Sequence, residues 1–264
     1  MAAAMPGTGR SMATLSVLWR VAVSGFCFAA VMLGGVAFSL VLFPLLRLLP
    51  GGRFEYERRV RAVVRLSFAA LLRILQATRM LRIEAHNTAR LRQLGPVLVL
   101  ANHPSYLDIV VLIAHIPNAV CVVKSKLWNS PFLGGVVRAA GYIRNDEPET
   151  LISNCAERLA AGLPLIIFPE GTRTAPGEPL HFVRGAAHIA LSAGVPILPV
   201  VMRCEPRVLG KGAKWYEMPA RVFRIDLDVQ PAITPAALVA KERAGARSLT
   251  HALERFFVDR LAMP

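Results

Sequence analysis

The longest feature of the hydrophobic pattern is residues 21–46, an uncharged run between Arg20 and Arg47. As one helix it would extend about 39 Å at about 1.5 Å per residue, more than the roughly 30 Å hydrocarbon core of a bilayer. A tilted membrane-crossing helix is one expectation. A helix bent at Gly34-Gly35 or at Pro44, embedded without crossing, is the other. The run is too long for a signal peptide, and no clear small-x-small cleavage site follows it. Residues 1–14, small and polar, are expected to be disordered. Beyond the run, Val60, Val63, Val64, Phe68, Leu71, Leu72 and Leu75 recur at helical spacing. Arg47, Arg53, Arg58, Arg59, Arg61, Arg65, Arg73, Arg79 and Arg82 surround them, opposed by Glu55 and Glu57. This predicts a basic amphipathic helix at an anionic membrane surface, with a core-facing helix that solvates its arginine face as the second expectation.

From residue 80 the pattern changes to short apolar runs separated by helical spacing. Strands are predicted where Leu81, Ile83 and Ala85 alternate with polar residues, and at residues 97–101, 119–123, 165–168, 197–202 and 222–229. The last of these alternates as an edge or half-exposed strand would. Helices are predicted after Ser105, over residues 132–140, from Pro148 to Gly162, over residues 185–193 up to Gly194, and from Thr234-Pro235 onward. Alternating strands and helices imply an α/β fold: a largely parallel central sheet flanked by helices, with an N-terminal membrane-seated helical segment. The expected division is residues 1–79 for the membrane-embedded and basic amphipathic helices and residues 80–264 for the α/β domain.

Composition sharpens this picture. Hydrophobic residues make up 54% of the 264, mean hydropathy is +0.46, and the net charge is +14. Such a surface favours anionic partners. With no zinc-finger spacing and no aromatic-rich basic motif, membrane lipids are favoured and no nucleic acid is expected. Cys27, Cys121, Cys155 and Cys204 form no Cys-x-x-Cys pair and no metal-ligand spacing, as expected of buried thiols in a reducing compartment. No metal and no bound cofactor are expected.

The candidate chemistry sits where strands end. In Ala101-Asn102-His103-Pro104-Ser105-Tyr106-Leu107-Asp108, Pro104 stops a strand and Ser105 opens a helix. A turn folding back there brings Asp108 to His103. A carboxylate fixes the imidazole tautomer and raises the basicity of its other nitrogen, which is what a general base for an alcohol requires. Phe168-Pro169-Glu170-Gly171-Thr172-Arg173-Thr174 offers a flexible glycine, a hydroxyl and a guanidinium suited to phosphate or carboxylate. Lys124 and Lys126 follow a third strand, and Arg144 follows Gly141-Tyr142-Ile143. Each motif alone also reads as an ordinary polar turn. Together, His103, Lys124 and Glu170 at the carboxyl ends of three predicted strands mark one edge of one sheet.

With these motifs the chain resembles the 1-acylglycerol-3-phosphate (lysophospholipid) acyltransferases over roughly residues 80–205. His103 and Asp108 look like that family's His-x4-Asp motif, and Gly141-Tyr142-Ile143 like the start of its second. Phe168 to Arg173 resembles its third motif and Val195-Pro196-Ile197-Leu198-Pro199-Val200 its fourth. Arg184-Gly185-Ala186 also falls where the family often has a basic residue, a glycine and a small residue. The resemblance implies acyl transfer from an acyl carrier protein or coenzyme A thioester to the hydroxyl of a lysolipid, with 1-acylglycerol-3-phosphate the leading acceptor. The positive-inside rule puts Arg47 onward at the cytoplasmic face of the inner (plasma) membrane. It implies His103 as base, Asp108 as its orienter, and Glu170, Gly171, Thr172 and Arg173 around the acceptor, with Lys124 and Arg144 as further cations. One departure leaves the acceptor open. Glycerophosphate-using members carry an Arg directly after an acidic residue of the second motif, whereas here Asp146 is followed by Glu147. A lyso-aminolipid, such as a lyso-ornithine lipid, or a specialised hydroxylated acid is the alternative acceptor. A non-catalytic, membrane-surface lipid-binding protein is the alternative class. There is no Gly-x-Ser-x-Gly elbow, Walker loop or Gly-x-Gly-x-x-Gly after a strand, so serine hydrolase and nucleotide chemistry are disfavoured.

Overall fold

The structure, a computed structural model of the chain, describes residues 8–145, 147–175, 177–239 and 245–263. Helix α1 (Thr8–Ala37) starts inside the segment expected to be disordered, whose first seven residues lie outside the described ones. A π-helical turn, Phe38–Leu42, carries it into α2 (Phe43–Arg47). Pro44 explains the interruption: it has no N–H for the carbonyl four residues back, and its ring crowds that carbonyl. The Phe43 N–H bonds instead to the Phe38 carbonyl, five residues back. Gly34 and Gly35 stay helical.

Helix α3 (Arg53–Ala77) buries Val60, Val64, Leu72 and Leu75 and packs on α4 (Leu107–His115). Its apolar stripe therefore belongs to the protein core, the second of the two expectations. Arg53, Arg58, Arg73 and Arg79 remain exposed.

Seven strands form one sheet in the order β1-β7-β6-β2-β5-β3-β4. They are β1 (Leu81–His86), β2 (Leu98–Ala101), β3 (Val120–Lys124), β4 (Ile143–Asn145), β5 (Leu165–Ile167), β6 (Ile197–Glu205) and β7 (Phe223–Val229). Five of the six pairings are parallel, and β6 with β7 is antiparallel. The largely parallel α/β sheet is thus as expected. Two details differ. β7 alternates buried and more open residues, yet it lies between β1 and β6, because β1 covers its outer edge. β4 is a strand that the three-residue run after Gly141 was too short to announce. The flanking helices are α5 (Ser125–Trp128), α6 (Gly134–Ala139), α7 (Pro148–Ala160), α8 (Gly185–Ala193), α9 (Pro235–Val239) and α10 (Ala246–Ala262). Central β2 and β5 are buried along their whole length, as strands covered on both faces must be.

The N-terminal helices dock on this domain. Phe43 is 2% exposed and packs near Phe38. A Cβ on Gly35 would stand 2.7 Å from Leu133 and from the Phe132 carbonyl, and one on Gly135 would collide with Ser39. The two glycines let α1 and α6 approach closely. Because β6, β2, β5, β3 and β4 run in one direction, their carboxyl ends share one edge. The loops that follow them build the site there, the position expected for such sheets.

Candidate active site

His103 stands two residues beyond β2. Asn102 fixes the exit of the strand: its side chain donates to the Met202 carbonyl at 2.8 Å and accepts from the Met202 N–H at 2.7 Å. This side chain continues the ladder to β6 past the last backbone pair. After Pro104 the chain turns back, and Asp108 Oδ2 accepts the Ser105 N–H at 2.7 Å. The same oxygen lies 2.9 Å from His103 Nδ1. With the proton on Nδ1, His103 Nε2 is the basic nitrogen. Ser105 takes its capping role one residue early, its Oγ accepting the Leu107 N–H at 3.2 Å.

Asp108 is fully buried, and its Oδ1 has no hydrogen-bond partner among the described residues. Burial pushes its carboxyl up to about 6, against the opposing pull of the His103 and Ser105 hydrogen bonds. Phe168 stacks on the imidazole at 4.0 Å between centroids, 15° from parallel, and closes the other side of the ring.

Glu170 does something the sequence did not indicate. Its Oε1 accepts the His103 backbone N–H at 2.7 Å, and its Oε2 accepts the Thr174 hydroxyl. Both oxygens face protein, so Glu170 braces the histidine turn rather than presenting itself to an acceptor. Gly171 takes φ +66°, which lets the chain reverse after Glu170. Arg173 lies with its guanidinium 3.5 Å above the Tyr106 ring, and its Nη1 donates to the carbonyls of Leu209 and Gly210. Those carbonyls come from the loop after β6.

A cavity of about 490 Å³ joins these groups. His103, Lys124, Lys126, Gly171, Thr172 and Arg173 line it. So do Met32 of α1, Ile109, Leu127, Leu133, Leu151 and Ile189, which make most of the wall apolar. Three cations and one imidazole therefore line a space whose other walls are mostly apolar. Two expected site residues fall elsewhere: Glu170 does not line the cavity, and Arg144 is exposed on β4, one residue before the lining Asn145. Asp146 lies outside the described residues. Asn102, Tyr106 and Phe168 stood in the motif stretches without a role, and Met32 of the apolar run was not singled out, because the sequence gave these side chains no partner. Only the position of Asn102 beside His103 was a usable signal. Among the described residues, no three His, Cys, Asp or Glu side chains converge as metal ligands would.

Comparison with known proteins shows what the chain is similar to. Residues 82–203, which contain both motif turns, match the family model described as Acyltransferase. A 1-acyl-sn-glycerol-3-phosphate acyltransferase of Helicobacter pylori is 38% identical over 115 residues, 41% of this chain and 48% of that protein. The beta form from Homo sapiens is 34% identical over 131 residues, 46% of each chain. The chain spans about half the length of these two curated relatives. The crystal structure of the 1-acyl-sn-glycerophosphate (LPA) acyltransferase from Thermotoga maritima has the same fold, with a TM-score of 0.66 over 97% of this chain and 98% of that one at 18% identity. Through residues 82–203, this chain is similar to the acyltransferase family.

Proposed function

We propose that the chain moves an acyl group from a thioester, acyl-acyl carrier protein or acyl-coenzyme A, to the hydroxyl of 1-acylglycerol-3-phosphate in phospholipid biosynthesis. The observation that carries this reading is His103 Nδ1 at 2.9 Å from buried Asp108, with His103 on the wall of a largely apolar cavity. The names of the relatives support the acceptor. In this mechanism His103 Nε2 takes the hydroxyl proton as the acceptor oxygen attacks the thioester carbonyl. Asp108 holds the imidazolium that forms. When the tetrahedral intermediate collapses, the carbon–sulfur bond breaks and the imidazolium returns its proton to the departing thiolate. Lys124, Lys126 and Arg173 receive the phosphate, and the apolar wall receives an acyl chain.

Residues 16–47 are long and apolar enough to cross a membrane, with mean hydropathy 2.4 and only 17% of the most apolar 18 residues buried. We read this helix as the membrane seat. The excess of arginine after Arg47 supports a domain on the cytoplasmic face of the inner membrane. Met32 then brings the cavity wall into the membrane segment, where lipid substrates are dissolved.

The test is to supply the purified full chain with a thioester and either lysophosphatidic acid or a lysolipid without phosphate. Lysophosphatidic acid should be preferred, and Lys124→Ala, Lys126→Ala or Arg173→Ala should each raise its KM about ten- to a hundredfold, the effect of one charge-assisted partner worth about 1.5–3 kcal/mol. Acylation of the phosphate-free acceptor alone contradicts the assigned substrate.

A further inference from the structure

The loop joining β6 to β7, residues 206–222, leaves the same sheet edge as the site and returns to α1. Ser24 Oγ donates to the Trp215 carbonyl at 2.6 Å. Phe28 stacks on the Trp215 ring at 6.2 Å and 17°. Gly25 gives that ring room, since a Cβ there would stand 3.0 Å from it. Beyond this contact the loop projects apolar and basic groups together. Trp215 and Tyr216 are 39% and 44% exposed, and Lys211 and Lys214 are exposed with no ion pair among the described residues. Lys214 instead lies 5.4 Å from the Tyr216 ring. Four basic residues, Arg207, Lys211, Lys214 and Arg221, face one acidic residue, Glu217.

Tryptophan and tyrosine favour the headgroup level of a bilayer, with an apolar body and a polar tip. Lysines beside them are drawn to anionic lipid. We propose that residues 206–222 form an interfacial loop that rests on an anionic lipid surface next to α1. Trp215 and Tyr216 enter the headgroup layer, and Lys211 and Lys214 meet lipid phosphates. This rests on the reading of α1 as the membrane seat, because α1 fixes the height of Trp215. The site is tied to the same loop, since Arg173 is held by the carbonyls of Leu209 and Gly210, and the Tyr106 N–H donates to Leu209 at 3.2 Å.

The test uses two single-tryptophan forms of the full chain in vesicles of phosphatidylcholine and phosphatidylglycerol, with acyl chains brominated near the headgroup or near the chain end. In W19F/W128F only Trp215 reports. In W128F/W215F only Trp19 of α1 reports. Trp215 fluorescence should be quenched more strongly by shallow than by deep bromines, and at least twofold less when phosphatidylglycerol is omitted or when Lys211→Glu and Lys214→Glu are added. Quenching of Trp19 with none at Trp215 overturns the loop and leaves the membrane seat standing. No quenching at either overturns both. Equal quenching without anionic lipid overturns the anionic surface. If the lysine changes impair only use of an acyl carrier protein thioester, and Trp215 stays unquenched, the loop belongs to that acidic donor and the lipid proposal is wrong. Amide exchange of the wild-type chain provides a second reading: residues 206–222 should slow on vesicle binding, and unchanged exchange there contradicts the proposal.

Discussion

At Asp108, burial and hydrogen bonding act in opposition. Oδ2 accepts from Ser105 and His103, which favours the anion, while complete burial with Oδ1 unpartnered favours the acid, and burial prevails at about 6. Imidazole orientation needs the anion, so transfer should fall as pH drops through about 6, and Asp108→Asn should be severely slowed with no such limb. A pH–rate profile checks both. Stability runs the other way. The folded carboxyl holds its proton more tightly than the unfolded one, near 3.8, so stability from this group is complete below about 3.8 and is lost as pH rises through about 6. The thermal midpoint of wild type relative to that of Asp108→Asn should therefore rise from pH 7 to pH 5. Glu170 gives a second residue-scale outcome. An acceptor-binding carboxylate, once neutralised, raises KM, whereas a brace for the His103 turn lowers kcat. Glu170→Gln should lower kcat about tenfold or more while KM changes little. A steady-state comparison in which KM alone moves would return Glu170 to the acceptor.

The elements around the site are held by contacts between distant parts of the sequence. Glu57 of α3, 3% exposed, accepts from Arg53 at 2.9 Å and from Arg158 of α7. Burial alone would raise its carboxyl, but the hydrogen bonds from Arg158 and Arg53 outweigh it and hold the group below its usual value. Beside it Arg61 donates to Asn118 at 2.7 Å and to the Ala140 carbonyl at 2.9 Å. Gly141 then turns with φ +69° into β4, directly over the Glu57 carboxylate, 2.5 Å from where a Cβ would stand. Gly141→Ala should destabilise the fold by about 2 kcal/mol or more, through strain and collision together, as read by denaturant unfolding. These contacts also show which parts the sequence could disclose. Strands β2, β5 and β6 and helix α8 were legible because local apolar runs and Gly194 mark them. The lipid-facing reading of the α3 arginines missed buried Arg61, because its partners Asn118 and Ala140 are far along the chain. Arg144 was misplaced for a related reason: side-chain direction on β4 depends on its register with β3. The loop carrying Trp215 had no periodicity to read.

On the scale of the whole molecule, an apolar helix, a basic surface and the His103–Asp108 pair meet at one cavity. In the proposed membrane seat, the net charge of +14 and the exposed Leu18, Phe26, Leu33 and Leu40 on the N-terminal helical segment would act on the same bilayer, but salt screens only the first. The full chain should therefore sediment with membranes and stay there through a high-salt wash, as an immunoblot of the fractions would show. Gly135→Val, which drives a side chain into Ser39, should loosen α6 from the helical segment and lower transfer without releasing the protein from membranes. The central claim is that His103 is the base for acyl transfer within this membrane-facing cavity. It is tested most directly by single-turnover acyl transfer with purified, vesicle-reconstituted wild type and His103→Ala, folding being checked by thermal unfolding. Loss of a general base predicts a rate lower by about 10²–10⁴-fold with the fold retained. A His103→Ala protein within tenfold of wild type would contradict the account.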